Sequence, residues 1–192
     1  RATTIQIGSL RDTWRQAYKV INRANNIIRV VDENLLSGTE FDNNKDRLKA
    51  EALFIRALCH FELCRFWGQP YDVDNAGNNN QVGVPYRTEP TLSFTQDLAI
   101  ARASVEDVYD NVLEDIVESE SLFQSAGARR STHRASEMAA TALKARVLFS
   151  KGDYANASIA AGDVISSNLY SLYPDNASDE ALLDPFQSSG YS

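Results

Sequence analysis

The chain has 192 residues, of which 43% are hydrophobic and 23% are charged, and its formal net charge is −7. This composition excludes a disordered or fibrous chain and predicts a single domain that can bury a sizeable core. Because phosphate binding needs clustered cations, the negative charge and the absence of a localised basic patch predict that nucleic acid is not a partner.

The first predicted element is a long helix from Ser9 to about Asn34. Ser9 and Asp12 have the spacing of a capping box, which predicts that the helix begins at Ser9. Apolar residues then recur every three or four positions: Leu10, Trp14, Ala17, Ile21, Ala24, Ile28 and Val31. One apolar face of this kind predicts packing against a neighbouring helix.

The second predicted helix runs from about Asn44 to Trp67 and follows a short polar turn. Gly68 and Pro70 predict its end, since glycine takes the left-handed C-cap conformation and proline cannot continue a helix. Its apolar residues cover most of the circumference and include Phe54, Ile55, Leu58, Cys59, Phe61 and Phe66. We therefore expect this helix to lie inside a bundle and to form an antiparallel hairpin with the first.

A long segment without periodicity, rich in Gly, Asn and Pro, follows from Gly68 to about Ala101. Loops of this length in compact domains are often functional. Sugar rings stack on aromatic side chains and exchange hydrogen bonds with amides, and the loop also contains Phe94. The candidate carbohydrate-binding residues are Tyr71, Asn78, Asn79 and Tyr86. A well-hydrated loop without a ligand is the alternative.

Three further helices are predicted in the second half of the chain. The third begins near Ser104, the fourth runs from about Arg134 to Lys151, and the fifth from Tyr154 to about Asn168. Asp153 is the expected N-cap of the fifth helix. The last two helices resemble one tetratricopeptide repeat, in which alanines allow two helices to approach closely. The tail from Tyr170 to Ser192 is predicted to be either a loop or an interrupted connection to further chain.

Motifs for catalysis or metal binding are missing from the sequence. Its two histidines, His60 and His133, lack metal-ligand spacing, and no nucleophile elbow or phosphate-binding loop occurs. The paired carboxylates of the third helix fall on a face that we expect to be solvated: Glu106, Asp110, Glu114, Asp115 and Glu118. We predict no enzyme activity, no cofactor and no metal, with a loose calcium site at Asp72 and Asp74 left open.

The two cysteines and the hydropathy pattern carry little information about location. Cys59 and Cys64 lie five positions apart on one predicted helix and point in different directions, so they cannot bridge each other. No stretch reaches 18 apolar residues, and the chain begins at Arg1 without a signal peptide. We expect either a processed chain or a piece of a longer one.

Four ordered segments carry a family resemblance. AEALFIRALCHFELCRFWGQPY at residues 50–71, followed by GVPYR at 83–87, resembles the signature of the SusD/RagB family of outer-membrane nutrient-binding lipoproteins. Residues 104–116 and 133–172 are similar to later helices of that family. Its opening helix is matched by Trp14, Tyr18, Ile21, Asn22, Asn25 and Asn26.

The resemblance implies an all-α fold of tetratricopeptide-like antiparallel hairpins in an α-α superhelix, with a long loop after the second helix. Residues 1–192 would then be one partial helical-repeat domain. It also implies a lipid-anchored cell-surface protein of the outer membrane that captures a polysaccharide or oligosaccharide for a TonB-dependent (SusC-like) transporter. A stand-alone tetratricopeptide-type adaptor for protein–protein interaction is the alternative.

Overall fold

The computed structural model describes residues 2–93, 95, 99–127 and 133–170, and side chains from residue 8 onward. These residues contain six α-helices and one short 3₁₀ turn at Val73–Asn75, with no strand. The helices are α1 (Ala2–Asp32), α2 (Thr39–Asp42), α3 (Lys45–Trp67), α4 (Val105–Ser125), α5 (Glu137–Ser150) and α6 (Tyr154–Ser166). The predicted all-α fold is confirmed.

Helices α1 and α3 form the first antiparallel hairpin. At one end the rings of Trp14 and Trp67 lie 5.3 Å apart, and at the other end Lys49 forms an ion pair with Asp32 at 2.7 Å. The start of α3 therefore lies beside the end of α1, and the end of α3 lies beside the middle of α1, which extends further toward Ala2. The hairpin is closed by α2, a single turn in a segment that we predicted as irregular.

Helix α4 packs antiparallel on α3, and α5 continues the alternation. Ser119 of α4 donates a hydrogen bond to the carbonyl of Ala50 at 2.8 Å, while the rings of Tyr109 and Phe61 meet 5.7 Å apart. Helices α5 and α6 pair through the buried small residues Ala157 and Ala160. This succession of antiparallel helices gives the tetratricopeptide-like arrangement.

The main core lies where α3 packs between α1 and α4. Its fully buried side chains come from each of these helices and from α5, and include Ile21, Leu63, Val108, Val112, Ile116 and Val147. Val84, from the connection between α3 and α4, is also fully buried there. That connection is therefore packed against the helices, in contrast to a well-hydrated loop.

Two predicted helix starts are wrong. Helix α1 already begins at Ala2, so Ser9 lies inside it and its carbonyl accepts a hydrogen bond from the Thr13 hydroxyl at 2.9 Å. Helix α5 begins at Glu137, because Ser136 caps it and Arg134 instead forms an ion pair with Glu51. The predicted start of the third helix near Ser104 and the predicted N-cap Asp153 are confirmed.

The apolar circumference of α3 is only partly buried. Phe66 is 69% exposed and Ile55 is 38% exposed, because α1 and α4 cover the opposite sides of the helix. The two cysteines are free thiols, as predicted. Phe94 and the tail beyond Tyr170 lie outside the described residues.

Candidate functional site

Residues 69–91, which we call the strap, cross the helices α1, α3 and α4. The strap is pinned to the start of α4 by backbone hydrogen bonds from Gly83 to Ala103 at 2.8 Å and from Ala103 to Val84 at 3.1 Å. A Cβ atom at Gly83 would lie 2.9 Å from the carbonyl oxygens of Ala103 and Ser104. Only glycine allows this approach, which explains the glycine of the GVPYR segment.

A buried polar network lies beneath the strap. Arg56 of α3 donates to both carboxylate oxygens of Asp115 of α4, at 2.8 and 2.6 Å, and also to the side-chain oxygen of Asn25 at 3.1 Å. Tyr86 of the strap donates its hydroxyl to Asp115 at 2.7 Å. Arg56, Asn25 and Asp115 are at most 8% exposed, so this pairing fixes three helices and the strap in one arrangement.

His60 connects α3 to the strap as a neutral imidazole. Its Nδ1 lies 3.1 Å from the carbonyl oxygen of Arg56, and its Nε2 accepts a hydrogen bond from the backbone N–H of Arg87 at 3.1 Å. The ring stacks on Tyr86 with centroids 3.9 Å apart. Burial lowers the pKa of His60 from 6.5 to about 3. These contacts give His60 a structural role, which agrees with its lack of metal-ligand spacing in the sequence.

Helix α1 holds the strap through three polar side chains. Tyr18 donates its hydroxyl to the carbonyl of Pro85 at 2.8 Å. The side-chain oxygen of Asn22 accepts from the backbone N–H of Thr91 at 2.7 Å, and the amide of Asn25 donates to the carbonyl of Arg87 at 3.0 Å. The backbone of residues 85–91 is therefore fixed along the surface of α1.

Glu106, in the first turn of α4, organises the other end of the strap. Its carboxylate accepts hydrogen bonds from the Tyr71 hydroxyl at 2.9 Å, the backbone N–H of Gly77 at 3.1 Å and the side-chain amide of Asn79 at 3.2 Å. Lys151 also donates to it at 3.0 Å. Against the raising effect of burial, the hydrogen bonds from Lys151 and Tyr71 lower the pKa of Glu106 to about 2.

The four candidate sugar-binding residues lie in two separate places. Tyr71 and Asn79 meet at Glu106, where Asn79 is fully buried, whereas Tyr86 lies with His60 and Asp115. The polar groups of these three side chains already have partners inside the protein. Asn78 is exposed. Their contact with a carbohydrate stays a prediction.

The expectation that Glu106 and Asp115 lie on a solvated face is wrong. Asp115 is 6% exposed and pairs with Arg56, while Glu106 is partly buried against the strap. A signal for Asp115 was present in the sequence, since it lies three positions after Val112 and seven after Val108, on the apolar stripe of its helix. The strap, which buries Glu106, left no comparable signal.

A groove of about 910 Å³, which we call the α1 groove, runs between the outer face of α1 and the strap. The strap side includes Pro85, Arg87 and Thr91. One wall is formed by α1, with Trp14, Arg15, Tyr18, Lys19, Asn22 and Arg23. Aromatic faces, an amide and long cationic side chains therefore meet on a rigid surface, a composition that suits a polar ligand.

We did not predict the cations of the α1 groove from the sequence. Arg15, Lys19 and Arg23 follow one another at intervals of four residues, which places them on one face of α1. This spacing can be seen in the sequence, but the net negative charge of the chain led us to expect no basic patch. Only the structure shows that Arg87, 64 positions after Arg23, joins the same groove.

A second groove, of about 610 Å³, lies between the end of α3 and the α5–α6 hairpin. It is lined by Phe61, Arg65, Arg146, Phe149 and Tyr154, among others. Phe149 and Tyr154 are 65% and 58% exposed. This groove is more apolar in character than the α1 groove.

The described part of the chain contains no group of three or more His, Cys, Asp or Glu side chains placed to hold a metal ion. Within the same residues, none of the helices has the length and apolarity needed to cross a bilayer.

Comparison with known proteins identifies the family. Residues 3–149 match the SusD-like family described as "starch-binding associating with outer membrane". The chain is 30% identical over 159 residues to SusD-like protein P38 of Formosa agariphila, covering 83% of this chain and 27% of the relative. The chain belongs to the SusD-like family, a family of glycan-binding proteins associated with the outer membrane.

Solved structures of the superfamily share the fold. A SusD superfamily protein from Bacteroides thetaiotaomicron is 31% identical with a TM-score of 0.72, covering 83% of this chain and 33% of that one. A laminarin-binding SusD-like protein is 25% identical with a TM-score of 0.61, covering 80% of this chain and 29% of that one. The chain therefore spans about a third of these structures or less.

Proposed function

We propose that the protein is a non-catalytic binding protein of the outer cell surface that captures a glycan and delivers it to a TonB-dependent outer-membrane transporter. Family membership supports glycan binding and association with the outer membrane. The laminarin-binding relative supports the same ligand class. Anchoring by a lipid and docking on a SusC-like transporter complete the proposal and follow from the resemblance alone.

The observation that carries the proposal is the α1 groove above a rigid polar network. Glycan sites need hydrogen-bond donors and aromatic surfaces that are fixed before the ligand arrives, because ordering flexible side chains reduces affinity. Tyr18 and Asn22 line the groove and are each bonded to the strap. Their positions are therefore set in the absence of ligand.

Binding is tested by native affinity electrophoresis of the full-length protein in gels that contain a series of neutral and charged polysaccharides. We expect at least one polysaccharide to retard the protein, with no reducing ends released on long incubation. Release of reducing ends by the purified protein would contradict the non-catalytic assignment. Migration unchanged by every polysaccharide would contradict glycan capture.

The location and the transporter are tested in the native host. We expect the protein in the outer-membrane fraction, accessible to protease on intact cells, and recovered together with a TonB-dependent transporter after mild detergent extraction. A protein that stays in the cytoplasm, or a transporter that is never recovered with it, would contradict this part of the proposal.

Among the four sequence-predicted residues, Asn78 gives the cleanest test of sugar contact, because it is exposed and its side chain does not hold the strap. We expect Asn78→Ala to weaken binding to a retained polysaccharide, whereas Asn43→Ala, between α2 and the start of α3, leaves it unchanged. Equal binding by both variants would remove this part of the strap from the site. Tyr71, Asn79 and Tyr86 are less suitable, since changing them disturbs the strap itself.

A protein-interaction adaptor is the second candidate function, and the apolar groove at the α5–α6 hairpin favours it. If the protein is an adaptor, Phe149→Ser should abolish partner binding. If it is a glycan-binding protein, the same change should leave polysaccharide retardation as it was. Phe149 is 65% exposed, so its replacement should not disturb the fold.

A further inference from the structure

Many cations of the described residues form ion pairs, whereas three cations on α1 do not. Nine described Lys and Arg side chains form ion pairs with carboxylates, including Lys49, Arg56, Arg134, Lys144 and Lys151. Arg15, Lys19 and Arg23 are exposed, and within the described residues no carboxylate lies within 4.0 Å of their nitrogen atoms. These three cations line the same groove.

The charge of the α1 groove is opposite in sign to the net charge of the chain. Four cationic side chains, Arg15, Lys19, Arg23 and Arg87, and no carboxylate are found among its described lining residues. The chain as a whole has a formal net charge of −7. A concave surface of one sign concentrates ligands of the opposite sign and speeds their association.

We propose that the α1 groove selects polysaccharides that carry anionic groups, either sulfate esters or uronate carboxylates. The inference rests on the proposed glycan-binding function and names the ligand class of that site. Arginine and lysine are the side chains that recognise carboxylates and sulfate-like oxyanions, with arginine able to donate two parallel hydrogen bonds.

The geometry of the groove agrees with a linear, regularly charged ligand. At a rise of about 1.5 Å per residue, cations four residues apart lie about 6 Å apart along the axis of α1, so three of them span about 12 Å. This interval is of the same order as one sugar unit in an extended chain. Repeating anionic sugars would therefore present charges in register with Arg15, Lys19 and Arg23.

The fourth cation is held in place by the buried network. The backbone N–H of Arg87 donates to His60 at 3.1 Å, and its carbonyl accepts from Asn25 at 3.0 Å, so both sides of this residue are fixed.

An acidic polypeptide has the same charge as an anionic polysaccharide but not the same surface. Trp14 and Tyr18, whose ring centroids lie 4.9 Å apart, form part of the wall between the cations and provide faces for sugar rings. Together with the glycan-binding family, these rings favour a polysaccharide over a peptide.

The test compares two triple variants of the full-length protein in affinity electrophoresis and calorimetric titration. Each replaces three cations by glutamine and so changes the net charge by the same amount. The groove variant carries Arg15→Gln, Lys19→Gln and Arg23→Gln. The control variant carries three replacements away from the groove, Lys45→Gln, Arg65→Gln and Arg146→Gln. Thermal unfolding followed by circular dichroism checks that both are folded.

The probes are polygalacturonate with its methyl ester, dextran sulfate with dextran, laminarin, and polyglutamate. We expect the protein to bind polygalacturonate or dextran sulfate more tightly than the uncharged counterpart. The groove variant should lose roughly tenfold in affinity, from three exposed charge contacts, while the control variant stays near the original value. Binding should also weaken with added salt. The two charged probes separate carboxylate from sulfate recognition.

Three outcomes would overturn the inference. Retention by laminarin or dextran alone would leave the proposed function standing and remove the anionic ligand class. Equal losses in both triple variants would show that overall charge, and not the groove, is responsible. Binding of polyglutamate as tight as that of the charged polysaccharides would identify an acidic polypeptide as the ligand. A protein that binds none of the probes or other glycans would fail at the proposed function itself.

Discussion

The helices under the strap and the α5–α6 hairpin are held together by different forces. Beneath the strap, Arg56, Asp115, Asn25 and Tyr86 form a buried network of directional hydrogen bonds. The α5–α6 hairpin depends on small apolar contacts, and α6 has only two buried side chains among its described residues, both alanine. Directional bonds allow one arrangement, whereas small apolar contacts allow several similar ones.

This difference bears on function because the α1 groove lies over the first region. A groove that selects a ligand by the spacing of its charges needs a fixed wall, and the strap is bonded to three helices. The α5–α6 hairpin, with Phe149, Ile159 and Ile165 each more than half exposed, leaves an apolar surface uncovered by the described residues. Stability measurements can separate the two regions.

The largest effect is expected from Asp115→Ala. Both partners of the Arg56–Asp115 pair have side chains less than 10% exposed, so the change leaves a guanidinium group buried without a counter-charge. We expect the free energy of unfolding to fall by about 3–5 kcal/mol, measured by urea denaturation. Glu62→Ala, which removes the partly exposed partner of Arg65 and Arg146, should lose less than about 1 kcal/mol. Equal losses of unfolding free energy in the two variants would contradict the expected difference between a buried and a partly exposed ion pair.

A smaller but still large loss of stability is expected at the contact between the strap and the turn before α6. Gly152, in the turn before α6, has φ +77°, and a Cβ atom there would lie 1.8 Å from Cγ1 of Val73 in the strap. Gly127 has a similar φ of +74° with open space around it. Gly127→Ala should therefore lose about 1–2 kcal/mol from backbone strain alone, and Gly152→Ala clearly more. Similar unfolding free energies for both variants would mean that the strap moves aside freely.

Acidification should weaken the region under the strap first. Since the pKa of His60 falls from 6.5 to about 3 in the folded protein, the unfolded chain binds a proton that the folded one does not as the pH drops below about 6.5. Stability is therefore highest above this pH and is lost on acidification, by about 1–2 kcal/mol between pH 6.5 and pH 5.

Urea denaturation across this pH range measures that loss. His60→Gln is the matched variant, because it removes the titrating group and should give a flatter profile at a lower starting stability. Protonation of Glu106 does not dominate this pH range, since its pKa is lowered in the folded protein from 4.5 to about 2 and its effect on stability is felt mainly below pH 4.5. An equally steep profile in His60→Gln would assign the dependence to another group.

The smallest effect is expected on the outer face of α6. Ile165 is 76% exposed, so Ile165→Gln should change the free energy of unfolding by no more than about 0.5 kcal/mol. Thermal and urea unfolding of the full-length protein provide the measurement. A loss well above 1 kcal/mol would mean that this face is covered by another part of the protein.

The sequence by itself determined the helices and most of their ends. Apolar periodicity located α1 and α3, and the local chemistry of Ser104 and Asp153 set the starts of α4 and α6, because capping depends on residues only a few positions apart. Gly68 ends α3 as predicted, but its φ of −83° is extended, so the predicted left-handed C-cap conformation is wrong. Family membership was also readable, from the order of the segments around GVPYR. The predicted helix start at Ser9 was wrong because the helix already begins at Ala2. The predicted start at Arg134 was wrong because this residue forms an ion pair with Glu51, which is distant in sequence.

Only the tertiary structure decided which polar residues are structural and which line a groove. Asp115 looked like one more carboxylate of a solvated face until α3 placed Arg56 against it, 59 positions away in sequence. Arg87 joined Arg15, Lys19 and Arg23 only because the strap folds back onto α1. Contacts between segments so far apart depend on how the helices pack, and a local pattern of residue types does not encode that packing.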